Sequence, residues 1–428
     1  MRALQFLLAV LVLAGLACGS GSVSTMPIPE TPTPRETAVV TKAATEESTV
    51  QSPAPVPGEY RELYNSLEGI LERFHGSYEM SLERSGEEVI IGAELATSNG
   101  NRGEALLKPE GMYGVRLYLD RLQELGVGGV KVAISYPLLD DDFPRSEEYL
   151  EYYKGVAEEV RNRGMKLLVQ TGPVFPDPEF SNVQVDFSNL TMTAYFQGRK
   201  EQVLIIIDEV RPDYVCLGAE PETEAMLTGF PITPEVYVNY IEDTLSEIDR
   251  LGDTLVGAGS GIWEKPEYLN RFAHDTTLDF INIHIYPIQG AVNYLQRVVD
   301  TAPMIRAQGK KLIIGESWLY KASPGEVVRG KAYQEIFLED VYSFWVPLDI
   351  RFIEAVMKIG YQEGFEFVSF FWSKYFFAYL DYEDTPKDLH ATELVYRSNQ
   401  ASANNIQSGL LSETGEALQQ LIDSGFDQ

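Results

Sequence analysis

Two periodicities take turns along this chain. Short apolar runs such as Gly129-Val130-Lys131-Val132-Ala133-Ile134-Ser135 and Phe280-Ile281-Asn282-Ile283-His284 are bounded by turn-forming residues, the pattern of buried strands. Between such runs, apolar residues recur every three to four positions over helix-length stretches. Strands are predicted near 89–95, 129–135, 166–171, 214–218, 254–258, 280–284, 311–315 and 366–371. Helices are predicted over 111–125, 147–163, 194–210, 234–251, 292–307 and 352–360. An earlier amphipathic helix carries Leu63, Leu67, Ile70, Leu71 and Phe74 at helical spacing. Eight strands alternating with helices over about 340 residues predict an α/β fold, a (β/α)8 TIM barrel occupying 59–428. A doubly wound open sheet would also alternate, but eight units favour closure.

Upstream of residue 59 the pattern is different. Met1-Arg2 and the apolar stretch 4–16 have the charge and length of a signal peptide, residues 1–17, and are too short for a transmembrane helix. The segment Leu13-Ala14-Gly15-Leu16-Ala17-Cys18-Gly19-Ser20 resembles a bacterial lipoprotein cleavage site, with Cys18 as the lipidated residue and Gly15 where that pattern usually has Leu. The alternative is plain secretion after an ordinary small-residue cleavage site. Residues 18–58 are rich in Ser, Thr, Pro, Ala and Glu and bury too little apolar surface to fold, so they predict a disordered tether. The expected location is extracytoplasmic, on a bacterial cell surface, with the membrane reached only through the lipid anchor.

Charge narrows the partners. The 64 acidic and 34 basic residues give a net charge of −30, which argues against nucleic acid or an anionic membrane surface and is compatible with a neutral glycan. With two cysteines, Cys18 and Cys216, there is no disulfide framework or cysteine-rich zinc site. Cys216 sits in an apolar strand, where a small buried hydrophobe is the expected role. The four histidines show no metal-ligand spacing, and neither a metal nor a cofactor is called for.

The strand ends hold the candidate chemistry, because a (β/α)8 barrel builds its site there. Glu220 ends the fourth strand, in Asp213-Tyr214-Val215-Cys216-Leu217-Gly218-Ala219-Glu220-Pro221. Glu316 ends the seventh, in Lys311-Leu312-Ile313-Ile314-Gly315-Glu316-Ser317-Trp318. Two carboxylates far apart in sequence but on one face of a barrel are what glycosidic-bond cleavage needs. Glu94 follows the first strand, Tyr136 and Asp140-Asp141-Asp142 the second, and Gln170-Thr171 the third. Of the four tryptophans, Trp263, Trp318 and Trp372 fall just past strand ends, where their flat faces suit sugar rings, although tryptophan also fills barrel mouths as core. Gly257-x-Gly259-x-Gly261 is expected to be a glycine-rich barrel loop, since no helix opens on the last glycine as a dinucleotide site requires. The aspartate run lacks the spacing of a calcium loop and is expected to be a solvated charged loop, with substrate binding the alternative.

A Glu after strand four, Ile281-Asn282-Ile283-His284-Ile285-Tyr286-Pro287 at strand six, Glu after strand seven and Trp after strand eight resemble clan A of the glycoside hydrolases. The resemblance implies a retaining double displacement on a β-linked oligo- or polysaccharide, with Glu220 as acid/base and Glu316 as nucleophile. It implies that Tyr286 orients the nucleophile and that His284 contacts substrate or the acid/base, a structural role at the rim being the alternative for both. Substrate contacts are expected from His284, Tyr286, Trp263, Trp318, Trp372 and Tyr136. One departure stands out: Ala219 occupies the place of an Asn that, in most clan members, binds the sugar 2-hydroxyl. That leaves open a second function, a surface lipoprotein that binds carbohydrate on a glycosidase-like barrel without cutting it.

Overall fold

In the computed structural model eight strands pair in sequence order. They are β1 (Ile90–Glu94), β2 (Gly129–Tyr136), β3 (Lys166–Pro173), β4 (Tyr214–Cys216), β5 (Leu255–Gly261), β6 (Phe280–Ile285), β7 (Lys311–Ser317) and β8 (Phe365–Phe370). Every pair is parallel, and β8 returns to β1, closing the barrel. The structure describes residues 55–78, 89–175, 181–248, 252–288, 293–323, 326, 336 and 338–424; the signal peptide, Cys18 and most of the tether lie outside them. Among the described residues no helix is long and apolar enough to cross a membrane.

The helices are α1 (Arg61–Ser77), α2 (Pro109–Glu124), α3 (Ser146–Asn162), α4 (Met192–Ile205), α5 (Pro221–Thr228), α6 (Pro234–Glu247), α7 (Pro266–Asp275), α8 (Tyr294–Ala307), α9 (Val346–Glu363), α10 (Ala391–Ser408) and α11 (Glu413–Ser424). Proline opens α2, α5, α6 and α7, where its missing N–H costs nothing. Thr191, Thr233 and Asn293 accept the first free N–H groups of α4, α6 and α8. Four helices, α5, α7, α10 and α11, are absent from the sequence prediction. The first two are short, and the last two follow the final strand, beyond the β–α alternation that guided the assignment.

The barrel interior follows from period two. Along β6, Phe280, Asn282 and His284 face inward while Ile281, Ile283 and Ile285 pack outward against helices. Leu168, Tyr214, Cys216, Phe280, Ile313 and Phe367 form an apolar cluster of their own inside the barrel, separate from the larger core between sheet and helices. Burial there pushes the Cys216 thiol up to about 11, so it stays protonated, as a packed hydrophobe should.

The glycines expected in a loop after β5 lie within that strand. Their inward positions are emptied so that neighbours can enter. A Cβ at Gly257 would come within 2.3 Å of the Phe280 ring, and one at Gly259 within 1.9 Å of the Asn282 carbonyl oxygen. Gly259→Ala therefore forces strands β5 and β6 apart. A loss of about 2–3 kcal/mol is expected, read as a lowered urea midpoint with unchanged slope.

Candidate active site

Glu220 and Glu316 meet at the C-terminal mouth of the barrel, 5% and 1% exposed. Carboxylate oxygens of the two, with a ring nitrogen of His284, all lie within 4.8 Å of one another. Glu316 faces inward because β7 departs from strict alternation. Ile283 pairs with Ile314, but His284 pairs with Glu316, so Gly315 is skipped as a bulge. Asn282 holds the bulge, accepting the Gly315 N–H on Oδ1 at 2.7 Å, and a Cβ on Gly315 would fall 2.4 Å from that same oxygen. Without the extra residue Glu316 would point to the helices.

Donors converge on Glu316. The Lys131 ammonium lies 2.5 Å from Oε1, the Gln170 amide donates to Oε1 at 2.9 Å, and the Tyr286 hydroxyl donates to Oε2 at 2.7 Å. Burial alone would raise the carboxyl, but Lys131, then the neighbouring His284 and the hydrogen bonds from Lys131 and Tyr286, outweigh it and hold it below the ordinary range. Glu220 has fewer donors. Thr223 donates to Oε2 at 2.8 Å, and Oε1 lies 2.7 Å from His284 Nδ1. Burial raises this carboxyl above its ordinary value, and the nearby negative charge of Glu316 adds to the rise. The two glutamates thus sit side by side with opposite proton demands.

Lys131 was hidden in an apolar strand. It is buried, bridges Glu94 and Glu316, and lies 5.1 Å from the centroid of the Phe371 ring. Glu94 and Lys131 are register partners on adjacent strands. Its signal in the sequence was a lone cation at an inward-facing position of β2. Glu264, after β5, was also missed. Its carboxylate accepts the N–H of Glu222 at 2.7 Å, the N–H of Gly261 at 3.1 Å and the Ser260 hydroxyl at 2.5 Å. It thereby pins the first turn of α5, which carries Glu220 at its N-cap. No local pattern announces such a long-range cap.

The aromatic candidates divide. Tyr286 packs edge-on against Trp263 at 5.9 Å and Phe371 at 5.7 Å, putting all three at the mouth. Trp318 is buried against Tyr375 and Phe376, and Trp372 against Phe371 and Tyr375. Tyr136 lies on the outward face of β2, against Tyr195 and Gly198 of α4, with its hydroxyl near Asp140. Asp140 in turn accepts the Asp142 N–H, an Asx turn within that charged loop.

Glu220, His284 and Glu316 also form a set that could ligate a divalent cation. Lys131 already supplies Glu316 with positive charge, and the His284–Glu220 contact at 2.7 Å leaves no room for an ion between them. Replacing Lys131 by Met would leave Glu94 and Glu316 buried without their cation. The folded-state pKa of Glu316 would then rise above its unfolded value and that of Glu94, already raised, would rise further, so stability is lost as pH increases through them. The expected cost is about 3–5 kcal/mol at neutral pH, shrinking below about pH 4, as measured by urea unfolding at both.

No protein-family model matches the chain, and no curated protein matches it. Solved structures do. A variant of GH5_18 from Bifidobacterium longum subsp. longum ATCC 55813, in complex with Manb1-4GlcNAc, is 14% identical with a TM-score of 0.50, the match covering 79% of this chain and 78% of that one. The exo-beta-1,4-mannosidase Op5Man5 from Opitutaceae bacterium strain TAV5 is 14% identical with a TM-score of 0.48, over 82% of this chain and 62% of that one. The likeness is one of fold: this chain shares the closed (β/α)8 barrel.

Proposed function

We propose that this protein is a retaining glycoside hydrolase that cleaves a β-linked glycan by double displacement. The observation that carries the proposal is the separation of the two carboxylates. Oxygens within 4.8 Å suit the closely spaced pair of a retaining enzyme, about 5–5.5 Å, and not the roughly 6.5–9.5 Å that an inverting enzyme keeps for its water. Glu220, its carboxyl raised by burial, is the acid that protonates the leaving oxygen. Glu316, kept ionised by Lys131 and its hydrogen bonds, attacks the anomeric carbon. Its Oε1 is engaged by Lys131 and Gln170, which leaves Oε2, held by Tyr286, as the attacking oxygen. Water then cleaves the glycosyl ester, with the deprotonated Glu220 as base.

A second reading has one observation behind it. Ala219 is buried and offers no side-chain hydrogen bond where a 2-hydroxyl contact would be expected. A barrel that binds glycan without cleaving it would tolerate that loss. The N-terminal expectations belong to the proposal too: export, lipidation at Cys18 and a tether that holds the barrel outside the cell. Labelling with a fatty-acid analogue should mark the wild type and not Cys18→Ser; equal labelling would remove the anchor.

The decisive assay is release of reducing ends from a panel of β-linked glycans, including the Manb1-4GlcNAc carried by the structural neighbour. Glu316→Ala is expected to abolish turnover, and Glu220→Ala to lower it by about 10²–10⁴-fold. The pH profile should be a bell. Activity falls on the acid side as Glu316 gains a proton, below the ordinary glutamate range, and on the basic side as Glu220 loses one, above that range. Binding without turnover anywhere on the panel would favour the second reading.

A further inference from the structure

Two fixed groups decide how the amides inside the barrel are turned. A carboxylate only accepts hydrogen bonds, so the Gln170 end that lies 2.9 Å from Glu316 Oε1 is its nitrogen. The Gly315 N–H only donates, so Asn282 gives it Oδ1 and turns Nδ2 inward, 3.3 Å from both Gln170 Oε1 and Cys216 Sγ. Gln170 Oε1 then faces His284 Nε2 at 3.0 Å. A carbonyl oxygen cannot donate, so Nε2 must carry the hydrogen. Asn282 Nδ2 is also 3.4 Å from that nitrogen, but its two hydrogens are taken by Gln170 and Cys216. In the neutral ring this leaves Nδ1, 2.7 Å from Glu220 Oε1, as an acceptor.

We propose that Gln170 and His284 are positioning residues forming a directed hydrogen-bond chain, Glu220 to His284 to Gln170 to Glu316, in which Glu220 keeps its proton by donating it to His284 Nδ1. Its catalytic meaning rests on the retaining-hydrolase reading, but its existence does not. One neighbour is set against it: Glu316 Oε2 lies 3.6 Å from His284 Nδ1, beyond hydrogen-bond reach; the other surrounding groups agree with it. Thr223 from α5 donates to the other Glu220 oxygen, as a carboxylic acid allows. Glu316 from β7 opposes a negative charge on Glu220, and Glu264 from the β5 side is itself held well above the ordinary carboxyl range by burial. Lys131 from β2 is engaged by Glu316 and by Glu94 from β1, and Tyr286 is spent on Glu316.

The chain resists loss of the acid proton. With the ring neutral, an ionised Glu220 would need hydrogen on Nδ1, which turns the Nε2 lone pair against Gln170 Oε1. Turning Gln170 instead would set its oxygen against Glu316. Either move opposes two acceptors. Gln170→Leu removes that obstacle, so the proton should leave at lower pH, and Glu316, short of one donor, should gain its proton at higher pH.

Nitrogen-15 NMR of the imidazoles reads the chain directly, with His284 assigned by its absence from His284→Asn. At neutral pH the wild type should show the neutral Nε2–H tautomer, and Gln170→Leu should gain Nδ1–H. A wild-type ring with Nδ1–H, or with both nitrogens protonated, overturns the proposal. In kinetics, Gln170→Leu should move the basic limb of kcat/KM down by about one pH unit. Activity reduced at every pH without a moved limb would mean a merely structural role and would sink it. Gln170→Met repeats both measurements if Leu impairs folding. Should the wild type cleave nothing, the hydrolase reading fails while the tautomer still decides the chain.

Discussion

An ionised glutamate at the bottom of a barrel mouth is held there by one lysine. Burial penalises the charged form of Glu316, and it is Lys131, with His284 and the Tyr286 hydroxyl, that reverses the balance. Lys131 in turn would not remain charged in that interior without two carboxylates on it. Glu94 is the second, and its own carboxyl is raised by burial and then eased by the same lysine. These three residues come from β1, β2 and β7, so the charge balance exists only when the barrel has closed. Closure and an ionised Glu316 are therefore one event, and a slip of register at β1–β2 would undo both.

Much of this was legible in the chain because strands have an exact period of two. The β–α alternation predicted the barrel, and the strand ends offered Glu220, Glu316, His284 and Tyr286. The limits have equally physical causes. Strand tips end where alternation ends, so side-chain direction is lost there. Tyr136 extends β2 by one residue and so faces the helices. Glu316 reaches the interior only through the bulge at Gly315, which depends on a partner strand's Asn282. Trp318 and Trp372 pack among the aromatic side chains of the segment after β8, a contact between loops that no local pattern encodes.

The glycines of β5 are a further instance. As a sequence they suggest a loop, since glycine weakens a strand. Inside a small barrel the opposite demand wins. Interior space is limited, and Phe280 and Asn282 from the neighbouring strand occupy what side chains on β5 would have filled. The same Asn282 that needs Gly259 to make room then anchors the Gly315 bulge and, through Nδ2, the amide of Gln170. Emptying one strand is thus the condition for ordering the polar groups on the next.

That polar order bears on whether the barrel cuts or only binds. A site that merely holds sugar has no need for two neighbouring carboxyls with opposite proton demands. Yet within 4.8 Å, and at similar burial, Glu316 receives a lysine and two further donors while Glu220 receives Thr223 and a histidine already committed to Gln170. The difference lies in the partners, because the shared surroundings would push both carboxyls the same way. Maintaining it requires a buried ion pair, which is costly compared with packed apolar side chains. Ala219 weakens one substrate contact, but it leaves this asymmetry intact. On the proposed function, chemistry that needs one proton held and one withheld is what the asymmetry would serve.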